Sequence, residues 1–330
     1  MRKIKKSGLV ELIGNVDTKF WQNKKIVVTG GRGFVGSHVV DNLKTKRGVS
    51  PENILIPTSD SYDLRKYEDA QRAVESADIV LHLAAHVGGI GYSSTHPATQ
   101  MRNCLLLDTN MFEAAAEKKV EKFICVSSAV AYPQIAESPL KEEDLFRGPP
   151  AKGGYGYGFA KRMAAVMTQA YREEKGLNAV VLLSANSYGP RQDISLESGH
   201  VVPSLIRKCY EFDKLEVWGD GSQVRDFFYV KDFAEAVLLA AEKLETSDPV
   251  NIGSGVPVSI KELVETIVEL TGFKGEVFFD SSKPQGQKIR VLDISKAKNL
   301  LGFSPSFTLR DGIKNTIDWY KSYAKNNSGS

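Results

Sequence analysis

Three stretches of the chain combine residue types and spacings that could do chemistry. The first is Thr29-Gly30-Gly31-Arg32-Gly33-Phe34-Val35-Gly36, which follows the apolar run KKIVV and opens the amphipathic stretch FVGSHVVDNL. In that setting Gly30 permits a tight turn, Gly33 lets backbone approach a pyrophosphate, and Gly36 lets helix and strand pack closely. The helix beginning at Phe34 and Val35 turns its free N–H groups and positive dipole end toward phosphate. A purely structural glycine turn is the plain alternative, and the strand and helix on either side argue against it. The second stretch is Tyr157-Gly158-Phe159-Ala160-Lys161, whose spacing puts phenol and ammonium on one helix face, one turn apart. A neighbouring cation stabilises phenolate and lowers the tyrosine pKa from about 10. A Tyr so tuned exchanges a proton with a carbonyl or alcohol as a hydride moves. Taken alone, such a pair is common and usually only solvated. The third is Ser127-Ser128, closing the run KFICVSS. Open α/β sheets place ligands at strand carboxyl ends, where a hydroxyl can hold a reacting oxygen. The order glycine turn, strand-end Ser, then YxxxK is far more specific than any one member.

Regular elements must hold these groups in place. Strand-like runs at 24–30, 53–57, 77–85, 122–129 and 178–185 alternate with helical stretches near 34–45, 99–118 and 159–174. Short apolar strands alternating with helices predict an α/β fold, a doubly wound parallel sheet of Rossmann type. Past about Gly189 the pattern loosens into a smaller C-terminal α/β lobe. Helices are expected there near 201–212 and 231–244, and a third opens on the capping box Ser259–Glu262 and closes at Gly272. The expected layout is a polar extension over 1–23, with a short surface helix, and a dinucleotide-binding domain over 24–186. A mainly substrate-binding lobe follows over 187–325, then a disordered tail, NNSGS, over 326–330.

The chain has 330 residues, 42% of them hydrophobic and 25% charged, which is ordinary globular composition. Net charge is only +3, and no five basic residues run together, so neither nucleic acid nor membrane is an expected partner. The small surplus suits an anionic small substrate. Cys104, Cys125 and Cys209 lack metal-ligand spacing, which predicts reduced thiols and no metal site. No apolar run approaches the roughly 18 residues of a spanning helix, and the N-terminus lacks an apolar signal core. A cytoplasmic location follows by exclusion.

With these motifs in place, the chain resembles the extended short-chain dehydrogenase/reductase family over roughly 24–320. The resemblance implies Ser128, Tyr157 and Lys161 as a catalytic triad, with Lys161 also holding the nicotinamide ribose and Asn110 as the family's helix asparagine. Within the family, HLAAHVGGIGYSSTHPATQMRN (82–103), SGHVVPSLIRK (198–208), LEVWGDGSQVRDFFYV (215–230) and FDSSKPQGQKIRVLDIS (279–295) resemble the GDP-L-fucose synthase branch. Those enzymes epimerise carbons 3 and 5 of a GDP-4-keto-6-deoxy sugar and reduce its ketone with NADPH. The likeness implies cofactor contacts at Gly30, Arg32, Gly33, Phe34, Val35, Gly36, Asp63, Leu64, Ala84, Tyr157 and Lys161. It implies a nucleotide-sugar substrate, GDP-linked, held by Val87, Gly88, Asn186, His200, Lys208, Trp218, Arg225 and Arg290. It also implies a homodimer, with the helices near 99–118 and 158–174 at the interface.

One departure bears on chemistry. In that branch a Cys and a His share the epimerisation; the His matches His200, but the Cys position, two residues before Tyr132, is Val130. Proton removal next to a carbonyl needs an acid/base group within reach, and valine has none. Cys125 lies too far along the same strand to substitute. The reductase set is complete and the epimerase set half present. His200 remains a proton donor, a substrate hydrogen-bonder or a helix cap. The second strand ends Ile56-Pro57-Thr58-Ser59 with no acid until Asp60, and Arg32 lies in the glycine turn. A missing ribose-binding acid and a cation positioned for a 2′-phosphate favour NADP(H) over NAD(H). Two other readings stand beside the reductase. One is a nucleotide-sugar 4-epimerase that retains NAD; the other is a non-catalytic cofactor sensor, whose expected mark is a broken triad.

Overall fold

The structure is a computed structural model that describes residues 18–195, 200–283 and 287–327. Its strands are β1 (Ile26–Thr29), β2 (Ile54–Leu55), β3 (Ile79–His82), β4 (Lys122–Ser128), β5 (Ala179–Ser184), β6 (Asn186–Tyr188), β7 (Lys214–Trp218), β8 (Val224–Tyr229), β9 (Val250–Ile252), β10 (Pro257–Ser259), β11 (Glu276–Asp280) and β12 (Ile289–Arg290). Its helices are α1 (Phe34–Thr45), α2 (Tyr67–Val74), α3 (Ile90–Thr95), α4 (Pro97–Glu117), α5 (Tyr155–Lys175), α6 (Val201–Glu211), α7 (Val230–Lys243), α8 (Ile260–Thr271), α9 (Ser295–Leu301) and α10 (Leu309–Asn327).

The large sheet runs β2-β1-β3-β4-β5-β9, every pair parallel. Of its inner strands, β1, β3 and β5 are buried along their whole length, as continuous apolar runs such as IVV and AVVLL require when helices cover both faces. Helix α1 packs against α7, and α4 lies between α2 and α5. Strand order reverses at β1, so a crevice opens between the carboxyl ends of β1 and β3, where sheets of this kind bind ligands. In the smaller lobe β8 is flanked by β6, β10 and β12, while β7 pairs with β11. Helices α6, α8 and α10 close a second core around Leu205, Phe227, Leu263, Ile267 and Ile317.

Local signals placed most elements well. Helix α1 spans the expected 34–45. Ser259 caps α8, its Oγ accepting from Glu262 N–H at 3.0 Å, and Gly272 ends the helix in the left-handed region. Other parts follow from distance in space. Strand β9 and helices α7 and α9 lie beyond residue 187 yet pack on the large sheet, so the two lobes interleave. Of the extension, residues 1–17 lie outside the described residues. Thr18–Asn23 forms a turn rather than a surface helix: Trp21 is buried in the core and donates Nε1–H to Glu242 at 2.7 Å. Glu242 is itself held by an ion pair with the buried Arg47, so the Trp21 hydrogen bond ties the extension to a fixed carboxylate. The expected tail is corrected as well, since α10 continues through Asn326 and Asn327; residues 328–330 lie outside the described residues. Phe159, Met163 and Val166 leave an apolar stripe exposed along α5, the helix on which the homodimer expectation rests. No helix among the described residues is long and apolar enough to cross a membrane.

Candidate active site

The glycine turn is built as its spacing requires. Gly30 has φ +67°, and a side chain there would press within 3.0 Å of the Ala84 nitrogen. A Cβ on Gly36 would lie 2.1 Å from the Gly30 carbonyl oxygen, so α1 can begin against the turn only with glycine at that place. Gly33 is the N-cap of α1, without a side-chain cap or an acid in the first turn. The first N–H groups are therefore available to an anion. Phe34 and Val35 are half-buried against the smaller lobe's core. Thr29 clamps the loop opposite, its Oγ1 accepting from the N–H groups of Leu83 and Ala84 at 3.1 Å each. Arg32 is exposed beside this turn and forms no ion pair among the described residues. These features fit the pyrophosphate and 2′-phosphate of a nicotinamide dinucleotide. At the adenine end, Leu64 is buried, and its carbonyl accepts from Asn110 Nδ2 at 3.1 Å. The neighbouring Asp63 carboxylate already takes two bonds from Arg65, at 2.7 and 2.9 Å, which hold it below the usual carboxylate range.

Ser128 ends β4, and α5, which carries Tyr157 and Lys161, packs against that strand. Ser127 Oγ donates to the Lys161 carbonyl at 2.6 Å, pinning strand to helix and leaving the next residue, Ser128, half-exposed. Ser128 caps the short turn 129–131, its Oγ accepting from Val130 N–H at 3.4 Å. Arg162 braces that turn from α5, donating twice to Ala131 O and once to Gly148 O. A Cβ on Gly158 would come within 2.8 Å of Val130 O, so glycine lets the turn sit on the helix beside Tyr157. Lys161 is buried and donates Nζ–H to Val126 O at 3.1 Å.

Electrostatics corrects one expectation. Burial raises the Tyr157 pKa, Lys161 pulls it back, and the net direction is upward rather than down. Desolvating a phenolate here outweighs one buried cation. The thiols are poor bases: burial pushes up Cys104, Cys125 and Cys209 alike. Cys125 is fully enclosed in β4.

The implied substrate residues arrive from several elements. Val87 is exposed, and Gly88 lies against Tyr92, where a Cβ would come within 2.5 Å of the ring. His86, which the motif reading passed over, bonds Tyr92 OH through Nε2 at 2.8 Å and stacks on its ring. Asn186 opens β6 with an exposed side chain. His200 is the N-cap residue of α6, but its side chain makes no capping bond, which removes the capping reading; desolvation lowers its pKa. Lys208 Nζ donates to Glu216 O at 3.2 Å, near the exposed Trp218 at the end of β7. Arg225 and Arg290 are register partners on β8 and β12, hence on one face. Arg290 Nε and Nη2 are buried without partners among the described residues, and desolvation plus the Arg225 charge lowers its pKa to about 10. Two half-buried like charges side by side, one of them with spare buried donors while Arg225 Nη1 donates to Val224 O at 2.8 Å, have the chemistry to take an anion. The spacing between β8 and β12 in sequence hid this pairing.

A model of the NAD dependent epimerase/dehydratase family matches residues 26–253. The chain is 35% identical over 306 residues to "Putative GDP-L-fucose synthase 2" of Arabidopsis thaliana, covering 91% of this chain and 92% of that protein. Among solved structures, a GDP-6-OMe-4-keto-L-xylo-heptose reductase from C. jejuni matches with TM-score 0.86 and 26% identity, over 94% of this chain and all (100%) of that one. MlghC, a GDP-mannoheptose C4 reductase from Campylobacter jejuni solved with NADP bound, matches with TM-score 0.81 and 26% identity, over 91% and 98% of the two chains.

Proposed function

The chain belongs to the NAD-dependent epimerase/dehydratase family, and we propose that it reduces the 4-keto group of a GDP-linked sugar with NADPH, without epimerising the neighbouring carbons. The observation that carries this reading is a complete Ser128, Tyr157 and Lys161 set beside Val130, where the resembling branch has a thiol. Support comes from the two Campylobacter neighbours, both named as reductases of GDP-sugars.

The cofactor, when bound, supplies the hydride. The first turn of α1 and the glycine turn hold its pyrophosphate, and Arg32 takes the 2′-phosphate. Ser128 Oγ donates to the ketone oxygen and fixes it beside Tyr157. The Tyr157 phenol gives its proton to the same oxygen as the carbon is reduced, and Lys161 stabilises the phenolate left behind. A raised Tyr157 pKa suits this direction, because the phenol stays protonated through neutral pH. Arg225 and Arg290 pair with the nucleotide diphosphate, and Trp218 offers an exposed ring to the base.

The test is incubation with a GDP-4-keto-6-deoxy sugar in deuterated water. Without NADPH, carbons 3 and 5 should take up little deuterium; with NADPH, the ketone should be reduced one-for-one with cofactor oxidised. Rapid deuterium uptake by the unmodified protein would mean that another base replaces the missing thiol. Turnover with no net NADPH use would instead favour the 4-epimerase reading. Cofactor choice has its own check. Arg32→Ala should weaken NADP binding by about ten-fold, as expected for one exposed charge-assisted contact, and leave NAD binding unchanged. Equal losses for both cofactors by titration would take Arg32 off the 2′-phosphate.

A further inference from the structure

Behind Tyr157 and Lys161 runs a row of buried polar groups that hydride transfer does not itself employ. Thr29 Oγ1 accepts two N–H bonds, so its single proton is left for His82 Nδ1, 2.8 Å away. That fixes the ring proton on Nε2, which donates to Asp108 Oδ1 at 3.1 Å. Asp108 is wholly buried, and its Oδ2 has no hydrogen-bond partner among the described residues. An orphaned carboxylate oxygen in such a place calls for a balancing charge. The titratable groups that face it are His82 from β3, Cys125 from β4, Tyr157 and Lys161 from α5, and Cys104 one turn earlier on α4. Only Lys161 among these carries a positive charge, and it too is buried, with one bond to Val126 O.

We propose that Asp108 is the buried counter-charge that keeps Lys161 an ammonium, and that Thr29 and His82 hold the carboxylate in place for this task. Asp108 is a positioning residue: it acts on proton transfer through Lys161 and touches neither substrate nor cofactor. Burial lowers the proton affinity of Lys161, yet the net direction is upward, with Asp108 foremost among the groups that raise it. The device rests on the reading of Tyr157 and Lys161 as the proton-transfer pair.

A double-variant cycle tests it without substrate. Asp108→Asn keeps the acceptor for His82 but removes the charge; Lys161→Met removes the other partner. Each single variant should melt lower than the unaltered protein, because each strands one buried charge, while the double variant should melt above either single one. If neither single variant folds, a double variant that folds and melts cooperatively supports the proposal equally well. Additive losses, or an unfolded double variant, overturn the proposal, and do so independently of what the enzyme reduces. The second readout is the pH profile of alcohol oxidation with NADP, in which Tyr157 must be a phenolate. In Asp108→Asn the neutral Lys161 no longer supports that phenolate, so the acid limb should move up by at least about one pH unit. An unmoved limb, or one moved to lower pH, would mean that Lys161 stays charged without Asp108.

Discussion

Replacing Tyr157 with phenylalanine should depress ketone reduction by about 100- to 10,000-fold, the usual scale of a positioned general acid. The ring stays, and with it the packing at the start of α5, so melting temperature and NADP affinity should remain near those of the unaltered protein. The defect belongs to the chemical step, and single-turnover oxidation of bound NADPH reads it directly. In the unaltered enzyme, reduction should hold a plateau through neutral pH and fall only on the alkaline side. The sign follows from the site: burial raises the Tyr157 pKa, Lys161 pulls it back only in part, and the acid form is the active one in this direction. Near-normal turnover in Tyr157→Phe would remove Tyr157 from the mechanism and leave Ser128 as the remaining hydroxyl donor.

Arg290→Met should raise the KM for the sugar nucleotide by roughly 10- to 100-fold, the equivalent of about 1.5–3 kcal/mol for charge-assisted bonds to phosphate. The same change should raise the melting temperature of the ligand-free protein. Arg290 is half-buried beside Arg225, and two of its nitrogens are buried without partners among the described residues, an arrangement expected to cost stability until an anion fills it. Methionine keeps an apolar stem of similar reach and removes the like-charge pair. Substrate kinetics and a thermal melt on one preparation decide the matter. An unchanged KM would show that the diphosphate binds elsewhere. A lower melting temperature would mean that Arg290 stabilises the ligand-free protein and is not a spare charge.

Much of the site was legible because its signals are local. Gly30, Gly33 and Gly36 work within one turn and the first turn of one helix, and each can be read from what a Cβ would meet nearby. Tyr157 and Lys161 share a helix, Ser128 ends a strand, and Ser259, Glu262 and Gly272 mark a helix by its own ends. The alternation of short apolar runs with amphipathic stretches predicted the parallel sheet, since both depend on periods of a few residues.

Tertiary structure decided everything that joins distant residues. Strand β9 is only Val250–Ile252, too short to show a period, and it finds its place beside β5 by pairing. Arg225 and Arg290 stand far apart in the chain; the resemblance implied both at the substrate, and the register of β8 and β12 makes them neighbours on one face. Thr29, His82 and Asp108 come from β1, β3 and α4, and none of them alone signals the buried hydrogen-bonded row that they form together. The direction of the Tyr157 shift went against the local expectation for the same reason. A helical spacing sets which charge is one turn away, whereas desolvation is set by the whole surrounding core, and here the core is the stronger influence.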